Sequence, residues 1–346
     1  MPMSFDERFA LCISNIADVS KPDYAQYEVS YYADFIELLA LISGGDGVSY
    51  GDVQDRFYGE EGEENDPEFV ENEDTNAEET TVSRTNDLRE ALIDSIFNAI
   101  KERVQLYEDL YPFELSSSNV ITVKSDISVD HKKYLFLLLS STLNLFHPFN
   151  TGLTTDFEKL SYNVLKEFLP SAEVKAFGKN SDYTGTAKEK IRKLAEDIGL
   201  AINEDSFKQI DNGNVQERGL DVAGWLPFGD KCPNLMLFLG QCACGKNYEY
   251  KQHELRRFEK YIYFPQTQPQ LTLFVPYSLV NQQEKDFYHS DLIEKGILIF
   301  ERKRILDCVK GKDEVYNNLE MKSLIERLLA YSPYDEVSVD STRSIR

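Results

Sequence analysis

ERGLDVAGWLPFGDKCPNLMLFLGQCACGKNYEYK, residues 217–251, is the stretch that decides how this chain is read. Asp221 opens an alternating apolar segment with Leu220, Val222 and Trp225. An almost wholly apolar run from Leu235 to Leu239 then delivers Gln241 at its end. Short runs of this kind bounded by Gly, Pro and Asp are read as strands. Two neighbouring strands thus present one carboxylate and one amide oxygen close together. Such a pair suits a hard divalent cation, since Mg²⁺ takes oxygen ligands and needs only one or two protein carboxylates beside water and phosphate. A metal so held polarises a phosphoryl oxygen and lowers the pKa of a bound water. The chemistry this points to is phosphodiester hydrolysis.

The strands expected around this stretch are 219–225, 235–242, 271–276 and 297–306, with a helix over 248–261 between the second and third. Upstream, FEKLSYNVLKEFL lies in a helix expected from about Thr155 to Phe168, with Phe157, Leu160, Val164, Leu165 and Phe168 toward a sheet and Glu158 near its start. A glutamate there serves either a site or the helix dipole. AKEKIRKLAEDIGL, 187–200, is a second helix whose Lys188, Lys190, Arg192 and Lys193 either contact phosphates or solvate an exposed face. A last helix is expected over 314–331. Strands interleaved with helices predict an α/β class, a mixed β-sheet flanked by helices behind a helical N-terminal half.

At these residues the chain resembles the PD-(D/E)XK nuclease superfamily, the restriction-endonuclease-like fold, in its variant with glutamine at the second acidic position. The resemblance covers roughly residues 153–330. It implies that Asp221 ligates Mg²⁺ or Mn²⁺ and that Gln241 and the carbonyl of Cys242 complete the protein ligands. Glu158 then holds a second ion or orients water. The lysine of the motif is replaced by Ala243. Relatives that lack it draw the ammonium from the following helix, where this chain offers Lys251 or Lys246. By the same resemblance the expected activity is a metal-dependent endonuclease acting on DNA, an effector of bacterial anti-phage defence. The alternative is an inactive nuclease-fold subunit that scaffolds a complex with an ATPase or sensor.

Composition bounds these readings. The chain has 346 residues, 42% hydrophobic, enough for more than one domain. No apolar run reaches the ~20 residues that cross a bilayer, and MPMSFDERFALC lacks a basic region leading into an apolar one. A cytoplasmic location and no membrane partner are therefore expected. Five cysteines, Cys12, Cys232, Cys242, Cys244 and Cys308, argue for reduced thiols, and their spacing is not that of a structural zinc site. No GxxxxGK[ST] loop, GxGxxG turn or HExxH pair is present, which leaves NTPases, dinucleotide enzymes and zinc proteases without support.

The net charge of -23 is unevenly placed. Residues 1–83 hold 21 acidic against 3 basic side chains, while residues 84–346 hold 39 against 34. The division expected is a small helical, winged-helix-like or docking domain over 1–58, an acidic disordered linker over 59–83, a helical scaffold over 84–150, the nuclease-like domain over 151–333 and a disordered tail over 334–346. Gly59–Glu79 holds 11 acidic residues and no Lys or Arg, too polar and like-charged to offset ordering entropy. It serves as a tether or covers a basic cleft. The acidic front favours a protein partner, because a DNA-reading helix carries a basic footprint.

Overall fold

The computed structural model describes residues 3–22, 28–59, 75–210, 219–230, 232, 234–245 and 248–334. Its chain divides into two compact units, one of residues 1–131, 144–148 and 323–346, the other of residues 132–143 and 149–322. The segments expected as separate domains over 1–58 and 84–150 thus fall largely into one unit.

In the first unit, α1 (Phe5–Asp18) starts at a capping box formed by Ser4 and Glu7. The next helix, α2 (Glu28–Ile42), is buried on nearly every side from Tyr31 to Leu41. A two-residue strand, β1 (Val48–Ser49), leads into α3 (Tyr50–Tyr58) through a second box between Ser49 and Asp52. The long helix α4 (Thr75–Tyr107) precedes a hairpin of β2 (Phe113–Leu115) and β3 (Val120–Val123). The three strands form an antiparallel sheet in the order β1-β3-β2. The expected disordered linker is corrected at its end: residues 75–83 belong to α4, where Ala and Glu are good helix formers. Residues 60–74 lie outside the described residues, as do 335–346 of the expected tail.

The second unit begins within α5 (Val129–Ser141), whose residues Tyr134–Leu139 are fully buried. Then follow α6 (Asn150–Phe168), β4 (Glu173–Ala176), α7 (Ala187–Asp197), β5 (Ala201–Ile202) and the single-turn α8 (Glu204–Phe207). After them come β6 (Val222–Trp225), β7 (Leu237–Cys242), α9 (Lys251–Phe258), β8 (Ile262–Tyr263) and β9 (Gln270–Phe274). The short hairpin β10 (Val280–Asn281) and β11 (Asp286–Phe287) precedes β12 (Ile297–Phe300), α10 (Arg302–Cys308) and α11 (Asp313–Asn317). Helix α12 (Lys322–Leu329) ends the described helices and, from Ser323 on, belongs to the first unit.

A five-stranded mixed sheet, β12-β9-β7-β6-β4, organises this unit. Strands β12, β9 and β7 are mutually parallel, and β6 and β4 continue antiparallel. On one face Ala223, Trp225, Leu237, Leu239 and Leu271 pack with Ile191 and Leu194 of α7 and Leu255 and Phe258 of α9. The other face receives α6: a Cβ on Gly224 would lie 3.0 Å from Leu165 Cδ2. Absence of a side chain there lets the helix approach the sheet.

Several expected elements are corrected. The strand expected over 297–306 stops at Phe300, because the Glu301 side chain accepts the N–H of Arg304 and starts α10. The single helix expected over 314–331 is two, α11 and α12. Strand β4 was not expected at all. EVKA is short and mixed in charge, as an edge strand tends to be, so periodicity does not mark it.

Candidate metal centre

The residues singled out by sequence gather at one end of the sheet, where β4 and β7 finish and β6 begins. The N–H of Asp221 donates to Gly240 O at 2.9 Å, one step beyond the last ladder pair between β6 and β7, and this sets Asp221 beside Gln241. Its own carbonyl accepts from Phe177 N at 2.7 Å and Gly178 N at 3.1 Å, so the turn after β4 is tied to the same point. The carboxylate is oriented as well: Cys242 N donates to Asp221 Oδ2 at 2.8 Å.

Glu158 arrives from α6. That helix begins at Asn150, not near Thr155, so Glu158 stands more than two turns inside it and the dipole account of the residue is removed. Leu153, Phe157, Leu160 and Val164 turn the helix toward the sheet and leave Glu158 half-buried at the margin. Its Oε2 accepts the backbone N–H of Lys179 at 2.7 Å. The position a Cβ would take on Gly178 lies 2.6 Å from Glu158 Oε2 and 2.8 Å from Asp221 Oδ1. Two carboxylates therefore converge over one glycine.

Gln241 is 3% exposed, and Leu237 and Leu239 on the same strand face place it toward α9. Its Nε2 donates to Glu254 Oε2 at 2.6 Å. The same oxygen accepts from Lys251 Nζ at 3.0 Å. Burial raises the Glu254 carboxyl, but the bonds from Gln241 and Lys251 outweigh it and hold the group below its ordinary value. The buried Oε1 of Gln241 accepts no hydrogen bond among the described residues. A buried amide oxygen without a donor carries a desolvation cost that a cation would remove.

Lys251 is thus brought to Gln241 through Glu254, whereas Lys246 lies outside the described residues. The Cys242 thiol is not offered as a ligand. Burial, with the charge of Asp221 beside it, pushes it well above the ordinary thiol range, against a hydrogen bond with Ser161. Cys244 is raised in the same way, and all five cysteines are free. Among the described residues no group of three or more His, Cys, Asp or Glu side chains is arranged around one point for a metal ion. The donor set here is the two carboxylates of Asp221 and Glu158, hard oxygens of the kind that suits Mg²⁺ or Mn²⁺. The expected pairing of Asp221 with the Gln241 amide is corrected: Gln241 lies with Leu237 and Leu239 on the face toward α9, the opposite one from α6, because successive side chains of β7 alternate across the sheet.

The cations expected to meet phosphate are mostly engaged within the protein. Lys190 is buried, and Lys188 and Arg192 lie over the Phe207 ring at 5.9 and 5.1 Å. Arg256 and His253 both bond Glu294, at 2.7 and 2.9 Å. Sequence reasoning missed Lys179, whose exposed side chain reaches Thr154 Oγ1 at 2.8 Å, and it missed Glu254. The K-x-x-E spacing of Lys251 and Glu254 was a visible signal for the second.

Among the described residues no helix is long and apolar enough to cross a membrane. No family model, curated protein or solved structure matches this chain.

Proposed function

We propose that the second unit is a metal-dependent phosphodiesterase of the restriction-endonuclease-like class, with DNA as the substrate. The observation that carries this reading is the convergence of Glu158 and Asp221 over Gly178. Asp221 and Glu158 would hold Mg²⁺ or Mn²⁺. When bound, such an ion polarises the scissile phosphate and supplies a hydroxide at neutral pH. Lys251 offsets negative charge that develops on the phosphorus oxygens. Glu158, anchored by the Lys179 amide, orients the attacking water. The mixed sheet with α6 on one face and α7 and α9 on the other supports the same class.

The first unit supports a winged-helix-like docking module, through its helix, short strand, two helices and hairpin with β1 added beside β3. Its acidity favours a protein partner, such as an ATPase or sensor, over nucleic acid.

A second reading is favoured by one observation: buried Ala243 stands where the motif lysine belongs, and Lys251 is ion-paired. On that reading the unit is an inactive scaffold within a complex. Supercoiled plasmid incubated with Mg²⁺ or Mn²⁺ separates the two. The nuclease reading expects nicking that Asp221→Ala abolishes, a fall of at least about 10²-fold as for loss of one preorganised charge-stabilising group. A wild-type protein that leaves the plasmid intact with either metal favours the scaffold.

A further inference from the structure

We infer that Lys179 binds the backbone phosphate of the substrate, as a cation on the same side of the sheet as the two carboxylates. This rests on the nuclease reading above. Lys179 follows Gly178, and its backbone N–H is the donor that Glu158 Oε2 accepts at 2.7 Å. Its side chain turns to the same helix, where the ammonium donates to Thr154 Oγ1 at 2.8 Å. Thr154 stands four residues before Glu158 in α6, and residues at that spacing share a helix face about 5–6 Å apart. The ammonium is therefore held roughly one helical turn from the carboxylate. Burial raises the Cys244 thiol, and the charges of Glu158, Lys179 and Asp221 act on it as well. One ammonium and two carboxylates thus lie within electrostatic reach of a single buried sulfur.

What this ammonium lacks is a counter-charge. A lysine ammonium carries three donors. One goes to Thr154, whose hydroxyl already donates to Asn150 O at 2.9 Å, and no ion pair among the described residues takes the others. Lys251, by contrast, is paired with Glu254 at 3.0 Å. An exposed ammonium resting on a neutral hydroxyl gives up little when a phosphate arrives, and lysine serves phosphate as a point charge. The turn that carries it is braced: Asn180 Nδ2 donates to Thr155 O at 3.0 Å, and Asp182 Oδ2 accepts from Ala176 N at 2.8 Å. That bracing keeps Lys179 beside α6 before substrate is bound.

The test measures binding of fluorescein-labelled DNA duplexes to the full chain by anisotropy, with Ca²⁺ as the divalent ion, between about 50 and 200 mM salt. Lys179→Met removes the charge but keeps the backbone N–H that anchors Glu158. It is expected to weaken binding about 10-fold, equally across duplex sequences, and to lower the slope of log affinity against log salt by about 1. Lys179→Arg is expected to keep the wild-type slope. Lys295→Met controls for loss of charge alone: Lys295 precedes β12, which runs parallel to β9 and β7 and so starts at the end of the sheet away from the carboxylates. Its slope is expected to match the wild type. A Lys179→Met protein with wild-type affinity and slope, or one no weaker than Lys295→Met, overturns the contact and leaves the nuclease reading in place. A wild-type chain that binds no duplex overturns both. Should Lys179→Met fail to fold, Lys179→Gln, polar and uncharged, is expected to show the same loss of slope, and a wild-type slope in it overturns the contact.

Discussion

Glu158 and Asp221 meet over the α-carbon of Gly178: a methyl group there would sit 2.6 Å from one carboxylate and 2.8 Å from the other. The atoms in the way are the ends of two side chains, not backbone, so Gly178→Ala is accommodated by moving the carboxylates apart. Stability is expected to change by less than about 1 kcal/mol, as for substitutions that strain no backbone. Cleavage is expected to fall about 10²-fold, the scale of a 1 Å misplacement. Urea unfolding and plasmid nicking measured together check this, and retained activity in a folded Gly178→Ala protein would show that the two carboxylates do not act as one site.

Glu301 caps α10 from a fully buried position, accepting from Arg304 N at 2.9 Å. Burial raises its carboxyl above the ordinary value, and the amides of Arg304, Lys303 and Leu279 recover only part of that. A carboxyl with a raised folded-state pKa favours the protonated folded form. Its contribution is present in full below the unfolded pKa and is lost as pH rises through the folded one. Glu301→Gln, which keeps an acceptor without the charge, is expected to be the more stable protein at pH 7. The difference should close toward pH 4. Urea midpoints across that range decide it, and a gap that widens on acidification contradicts the sign.

Arg103 closes a buried ion cluster in the first unit. Its Nη1 lies 2.7 Å from Asp34 and 2.6 Å from Glu37, and Tyr111 OH donates to Glu37 at 2.8 Å. Arg103→Leu strands two carboxylates in the core, and breaking a buried pair in this way costs about 3–5 kcal/mol. Denaturant unfolding of the variant at pH 7 should show that loss. A loss under about 1 kcal/mol at pH 7 would mean that the cluster adds little.

The β6–β7 pair and the helix after it were legible because their signals are local: apolar alternation, Gly and Pro at the ends, and helical spacing of Leu255 and Phe258. Asp221, Gln241, Lys251 and Glu158 were legible as residue types at a spacing. Their grouping was not, because Glu158 reaches Asp221 through the packing of α6 on a sheet whose edge, β4, leaves almost no periodic trace. Gly178 and Lys179 follow that unseen strand, so their part in the site stayed hidden with it. Glu254 had a visible i, i+3 relation to Lys251, yet its bond to Gln241 crosses from helix to strand.

Sequence alone therefore determined which segments alternate, which are apolar throughout, and where the acidic charge lies, since each depends on neighbours along the chain. The tertiary structure decided where helices begin and end, which strands are neighbours, and which oxygens share a point in space. Those outcomes follow from burial and hydrogen bonding between residues far apart in the chain, and no local pattern encodes the distance between Glu158 and Asp221.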